Sequence, residues 1–203
     1  MAPHYSWLTA VAEYGSKPRP LACHHTDTQL THNASRTRVD KINTEVLTLT
    51  YGTLVSQLCR DLRLPTSPTL TDYTAVNAEL DRMGYAIGLR LIEDFLSKSH
   101  IGSSHCANFR ETAEVIAKVG FKMFLNVVPS VGGWQGKEGG PQSFVLGLEE
   151  NPLAEFVELP DDGRSQAEGG LWYSGILCGV LRGALEMVRI SSYFPCVYVE
   201  TPS

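Results

Sequence analysis

No uncharged apolar run in this sequence reaches the eighteen or so residues that a membrane span requires. The first residues, MAPHYSWLTAVAEYGS, lack a basic leader and hold only a short apolar stretch before Glu13, which makes a poor secretory signal. A basic surplus is also missing. Lys plus Arg number 17 against 22 Asp plus Glu, a net charge of −5, which excludes a free-standing nucleic-acid binder of the usual kind. No polybasic block offers charge-driven attachment to anionic lipid. The five cysteines, Cys23, Cys59, Cys106, Cys178 and Cys196, form no CxxC pair, and without a secretory signal the expected state is reduced thiol. Cys23, His24, His25 and His32 match no regular zinc-finger spacing, so no metal site is expected. What remains is a soluble, cytosolic chain of 203 residues, 43% hydrophobic, long enough to bury one core without staples.

Residues 1–43 hold Pro3, Pro18 and Pro20, many polar residues and no sustained apolar period. They are expected to form a largely disordered extension. Periodic order begins near Glu45. Leu47, Tyr51, Leu54, Val55, Leu58 and Leu62 fall at helical steps. A loop of two prolines and three threonines at 64–71 follows. A second helix from Asp72 carries Val76, Leu80, Met83, Ile87, Leu91 and Phe95, with Gly84 and Gly88 one turn apart. A third begins at Asn108, where Asn108 and Glu111 resemble a capping box. Its apolar side is Phe109, Ile116, Val119, Met123 and Phe124, and Pro129 closes it. Residues 129–141 read as a mobile glycine-rich connection. Strands are expected at Gln142–Leu148, where Phe144, Leu146 and Leu148 alternate, and at Glu155–Leu159. A last helix over Leu171–Ile190 carries Gly175, Gly179 and Gly183 at four-residue spacing. Each glycine there costs about 1 kcal/mol relative to alanine, so something lies close against that face. On spacing alone a neighbouring helix is favoured over an acyl chain. The tail, 191–203, changes character at Pro195 and has a short strand pattern at Cys196–Val199.

No convergent set of catalytic groups is visible. His105 and Cys106 are adjacent, whereas a thiol and its base normally come from distant segments. Asp161 and Asp162 read as a solvated loop pair. Glu93 and Asp94 diverge by about 100° on their helix. The glycine-rich loop lacks the Gly-Lys-Ser/Thr ending of a phosphate cradle, and no dinucleotide fingerprint or nucleophile elbow occurs. Cys106 stands out only by its place just before a helix N-terminus, where thiolate is favoured.

Five ordered strings then carry a resemblance: LTLTYGTLVSQLCRD (47–61), LDRMGYAIGLRLIEDFLSKS (80–99), FRETAEVIAKVGFKMFL (109–125), ENPLAEFVELPDD (150–162) and YSGILCGVLRGALEMV (173–188). They resemble the small subunits of TRAPP, the transport protein particle, and among these the "Bet three" subunit family. The likeness covers roughly residues 45–189. It implies an α+β fold with helices packed on one face of a small antiparallel sheet, in a domain spanning 44–190. It implies a subunit rather than an enzyme, acting in endoplasmic reticulum to Golgi vesicle transport. Its partners would be other TRAPP subunits, first as a heterodimer, and a Rab GTPase for which the assembly is the nucleotide exchange factor. Nucleic acid is not among them. The location implied is cytoplasmic, peripheral at the cis-Golgi and endoplasmic reticulum.

The family carries a cysteine ahead of the FRETA helix that holds a palmitoyl chain, and Cys106 matches that position. The resemblance then places Ile116, Gly120, Met123, Gly179 and Gly183 along an internal acyl channel. No other cofactor and no metal is implied. Three features depart from the family. His105 replaces the basic residue that precedes the cysteine, the loop at 64–71 is long, and the sequence after Val188 replaces further helix and strands. Two other classes compete with the subunit reading: a stand-alone fatty-acyl carrier and a cysteine acyl-transfer enzyme. The pairing surface is expected on the first two helices, on the stripe 76–95 with Gly84 and Gly88.

Overall fold

The computed structural model describes residues 6–13, 42–63, 72–99, 109–136, 141–158, 169–188 and 192–193, with 6–13, 141 and 192–193 described as backbone. Helix α1, Thr44–Asp61, starts where Asn43 accepts from the Glu45 amide at 3.0 Å. Helix α2, Tyr73–Lys98, starts where the Asp72 carboxylate accepts from the Thr74 and Ala75 amides. Both caps satisfy amides that the first helical turn leaves unpaired. Tyr51 and Val55 of α1 are buried, and Leu47, Leu54, Leu58 and Leu62 pack beside them, as the period predicts.

The four strands are β1 (Ser6–Glu13), β2 (Ser130–Gly136), β3 (Pro141–Leu148) and β4 (Ser192–Tyr193). They form one antiparallel sheet in the order β2-β3-β1-β4. On β3, Phe144, Leu146 and Leu148 point into the core, so the expected alternation holds.

Three expectations need correction. Ser6–Glu13 falls in the supposed disordered extension, yet it is a central strand, paired from Ser6↔Leu148 to Glu13↔Pro141 on one side and with β4 on the other. Its order comes from two neighbours and not from local pattern. Half of the supposed glycine loop is strand β2. One extra residue between Gly132 and Gln135 forms a bulge, and Gly133 takes a φ of 62° there. Glu155 and Phe156 are turn, and Val157 and Glu158 are irregular rather than strand. The Asn151 side chain accepts from the Leu153 amide at 3.1 Å and donates to Ser174 Oγ at 2.9 Å, a local arrangement that competes with a ladder. The expected strand at Cys196–Val199 lies outside the described residues.

Helix α5, Gly175–Met187, begins four residues after the expected start at Leu171 and packs on α2. Gly84 meets Ile176 and Val180, and Gly88 meets Val180 and Ala184. From the other side Gly179 meets Asp81 and Tyr85, and Gly183 meets Tyr85. Numbers rise together along both helices, so the pair is parallel. At each of these four glycines a Cβ would fall under 3.0 Å from the facing backbone. Arg182 pairs with Asp81 and lies 4.7 Å over the Tyr85 ring, whose hydroxyl donates to Glu186 at 3.0 Å. Asn77 of α2 fixes the approach to α5, donating to the Gly170 carbonyl and accepting from the Trp172 amide.

Tyr51 and Tyr173 meet edge to face, their ring centroids 4.8 Å apart, and the Tyr51 hydroxyl donates to the Tyr173 carbonyl. Desolvation holds both phenols neutral, pushing Tyr51 far up and Tyr173 up to about 12 from 10.0. A raised acid pKa stabilises the fold fully below the unfolded value and less as pH rises through the folded one. Stability is therefore expected to fall as pH climbs from 10.0 toward about 12. Phenolate absorbance should show Tyr173 and Tyr51 ionising later than exposed tyrosines, with Tyr51 the later of the two. Ionisation of all tyrosines together in a still-folded protein would contradict their burial.

Candidate functional site

The third helix is composite. Helix α3, Phe109–Val115, runs into a π-helical turn, Ile116–Phe121, and then a last turn, α4, Lys122–Phe124. Phe109, Ala113, Ala117 and Phe121 are buried in the core. Phe109 packs against Trp134 of β2 and Phe144 of β3, at 6.4 and 5.2 Å between centroids, and Arg110 covers the Trp134 ring at 4.9 Å. The sheet therefore fixes the start of this helix.

Ile116 is half-buried against the core, and Gly120 and Met123 are half-buried beside it. A carbon built on Gly120 meets only a Phe95 ring carbon and the Val115 carbonyl oxygen, each at 4.0 Å. Phe95 of α2 and Phe124 of α4 stand near one another with centroids 6.5 Å apart. The glycine therefore has room for a methyl group in ordinary contact with Phe95, and the face around it is apolar. Phe95 and Phe124 belong to this face, although the sequence shows them only as stripe residues of their own helices.

Gly179 and Gly183 are corrected. The facing backbone of α2 fills the space that they leave, so they make a helix contact and do not line a channel. The same geometry removes Gly84 and Gly88 from any pairing surface, because α5 covers them. Cys106 and His105 lie outside the described residues.

Of the cysteines inside them, Cys59 is half-buried and burial pushes its thiol up, which disfavours thiolate. Cys178 is buried and disulfide-bonded, so the reduced state expected of every thiol does not hold there. An argument from compartment does not say which sulfurs the fold brings together. Among the described residues no cluster of metal-ligating side chains occurs, and no helix is long and apolar enough to cross a membrane.

A composite helix and a parallel glycine-locked pair on one face of a small antiparallel sheet match a known class. Residues 47–202 match the model of the transport protein particle (TRAPP) component, and the chain belongs to that family. It is 54% identical to the transport protein particle subunit bet3 of Schizosaccharomyces pombe, over 75% of this chain and 74% of the relative. It is 52% identical to trafficking protein particle complex subunit 3 of Dictyostelium discoideum, over 80% and 77% respectively. A crystal structure of trafficking protein particle complex subunit 3 from Naegleria fowleri, covalently bound to palmitic acid, superposes with a TM-score of 0.59. That protein is 47% identical, and the match covers 73% of this chain and 81% of the other.

Proposed function

We propose that this chain is an assembly subunit of a TRAPP tether in endoplasmic reticulum to Golgi transport, and that it holds a palmitoyl chain on Cys106 along the Ile116, Gly120, Met123 wall. The observation that carries the reading is membership of a family with a relative covalently bound to palmitic acid, together with the half-buried face that Ile116, Gly120 and Met123 share. Cys106 stands three residues before α3. Acylation there joins Sγ to the acyl carbon of an acyl thioester, while the donor's thiol leaves with the proton. Burial of the chain stabilises the fold by up to about 0.8 kcal/mol per methylene. The chain acts as internal filler, and peripheral attachment at the cis-Golgi and endoplasmic reticulum comes through the complex. Intact-mass measurement before and after hydroxylamine tests this reading. Expected is a thioester-linked mass that Cys106→Ser abolishes. A mass that survives the substitution overturns the assignment.

Partners in this reading are other TRAPP subunits, and exchange on a Rab GTPase belongs to the assembled complex. With Gly84 and Gly88 covered, the pairing surface moves to the outer face of α2. A shallow groove there is lined by Ala86, Ile87, Arg90, Leu91 and Asp94. Ile87 is 44% exposed, and on α1 Val46 and Leu49 are exposed by 58% and 53%. Apolar side chains this open on two helices suit a second subunit. Ile87→Asp is expected to stop co-purification with a partner subunit and leave the melting temperature within a few degrees, because an unpaired charge would be buried only in the complex. Unchanged co-purification places the surface elsewhere.

A further inference from the structure

The strands of the sheet come from two places in the sequence. β2, β3 and β4 lie within residues 47–202, the stretch that matches the family, whereas β1, Ser6–Glu13, lies ahead of it. Yet the order β2-β3-β1-β4 puts this outside strand between two strands of the family stretch. Without β1, β3 and β4 flank a slot one strand wide, about 10 Å across at the ordinary strand spacing. β3 lines one side of the slot from Pro141 to Leu148, and β4 lines part of the other with Ser192 and Tyr193. The sides are built by one part of the chain and the occupant comes from another. That is the layout of strand addition, in which main-chain bonds give affinity and alternate side-chain positions give specificity.

The register supplies the specificity. Buried Phe144, Leu146 and Leu148 of β3 stand opposite Ala10, Leu8 and Ser6. At the positions between, Gly147 stands opposite Trp7 and Ser143 opposite Val11. Large is matched with small from either side, Trp7 with Gly147 and Phe144 with Ala10. A slip of one residue would turn the strand over and bring Trp7 opposite Leu146 or Leu148, at positions that are 0% and 3% exposed. The slot therefore selects an ordered pattern, a bulky residue followed three positions on by a small one, and not extended backbone alone.

We propose that the slot between β3 and β4 is a strand-binding site, and that Ser6–Glu13 is its ligand, held in cis and exchangeable with the same strand supplied free. Residues 14–43 join the strand to α1. Closing a loop of that length costs little more than closing one half as long, and the joining raises occupancy without adding a contact. A partner strand takes the position only by displacing β1, so β1 closes the sheet against strands that lack the pattern.

A site for a sequence-specific protease, placed between Lys17 and Pro18 of the full chain, cuts the strand free without removing it. The cut protein is mixed with an excess of isotope-labelled peptide of residues 1–17 and weighed by native mass spectrometry. Expected is a labelled peptide bound in place of the resident strand, at least tenfold more of it than of a peptide carrying Trp7→Ala and Ala10→Trp together. Failure of the labelled peptide to bind overturns the inference, and so does equal binding of the two peptides. Should the cut protein precipitate, hydrogen exchange on the intact chain decides. Ladder amides of β1 are expected to exchange at least tenfold faster than amides in the middle of α2, because the strand leaves while the helices stay folded. Equal rates in β1 and α2 overturn the inference.

Discussion

Gly179→Leu is expected to leave little folded protein, and even Gly179→Ala should cost on the order of 3 kcal/mol. A Cβ at that position falls under 3.0 Å from the backbone of Asp81 and Tyr85. Side chains swing aside, but a helix backbone moves only as a whole. To admit the methyl, α2 and α5 must separate along their length, which loosens the contacts at Gly84, Gly88 and Gly183 as well. Against total stabilities of about 5–15 kcal/mol, a loss on the order of 3 kcal/mol leaves the alanine variant folded but far less stable, and the larger overlap of leucine removes most of what remains. Gly120→Ala is the internal control. Its added methyl touches nothing closer than 4.0 Å, and alanine favours helix by about 1 kcal/mol, so no loss is expected. Urea melts of the two variants settle the comparison. Equal midpoints would show that the α2–α5 contact is not close-packed.

Gly120→Leu should separate folding from lipid capacity. The larger side chain enters the space between the π-turn and Phe95, where a leucine fits by displacing side chains rather than backbone. Overpacking of that kind costs about 1–3 kcal/mol, which a folded domain of ordinary stability survives. The face that the acyl chain would lie against is then covered. The hydroxylamine-sensitive mass on Cys106 is expected to fall at least tenfold, with the melt still cooperative. An acylated fraction equal to wild type would place the chain away from Gly120.

Legibility in the residues tracks the range of the forces involved. Helices α1 and α2 announce themselves by apolar period and by Asn43 and Asp72 at their starts, all within a few residues of one another. β3 is legible because Phe144, Leu146 and Leu148 alternate. β1 is not, because its support comes from β3 and β4, far along the chain. β2 is hidden because Gly132, Gly133 and Gly136 read as a loop, although a bulge uses them inside a strand. The stripe of Gly175, Gly179 and Gly183 shows that something comes close but not what. Gly179 and Gly183 face a helix, whereas Gly120, which has no stripe, is the one with room. The π-turn has no sequence signal apart from the four-residue spacing of Phe109, Ala113, Ala117 and Phe121, and that spacing becomes informative only once all four are known to be buried.

The parallel pairing of α2 with α5 also bears on the order of events during synthesis. Asp81 and Arg182, which meet across that contact, are 101 residues apart in the chain. Contacts of such separation require a large loop to close before any interaction offsets the lost entropy, which slows folding. A ribosome adding about 5–20 residues per second needs some seconds after α2 emerges before α5 emerges in turn. Through that interval the notch of Gly84 and Gly88 has no helix to fill it, and Val76, Leu80 and Ile92 stand exposed around it. The nascent chain is therefore most open to chaperone binding, or to capture by a foreign helix, in the interval before residue 187 clears the exit tunnel.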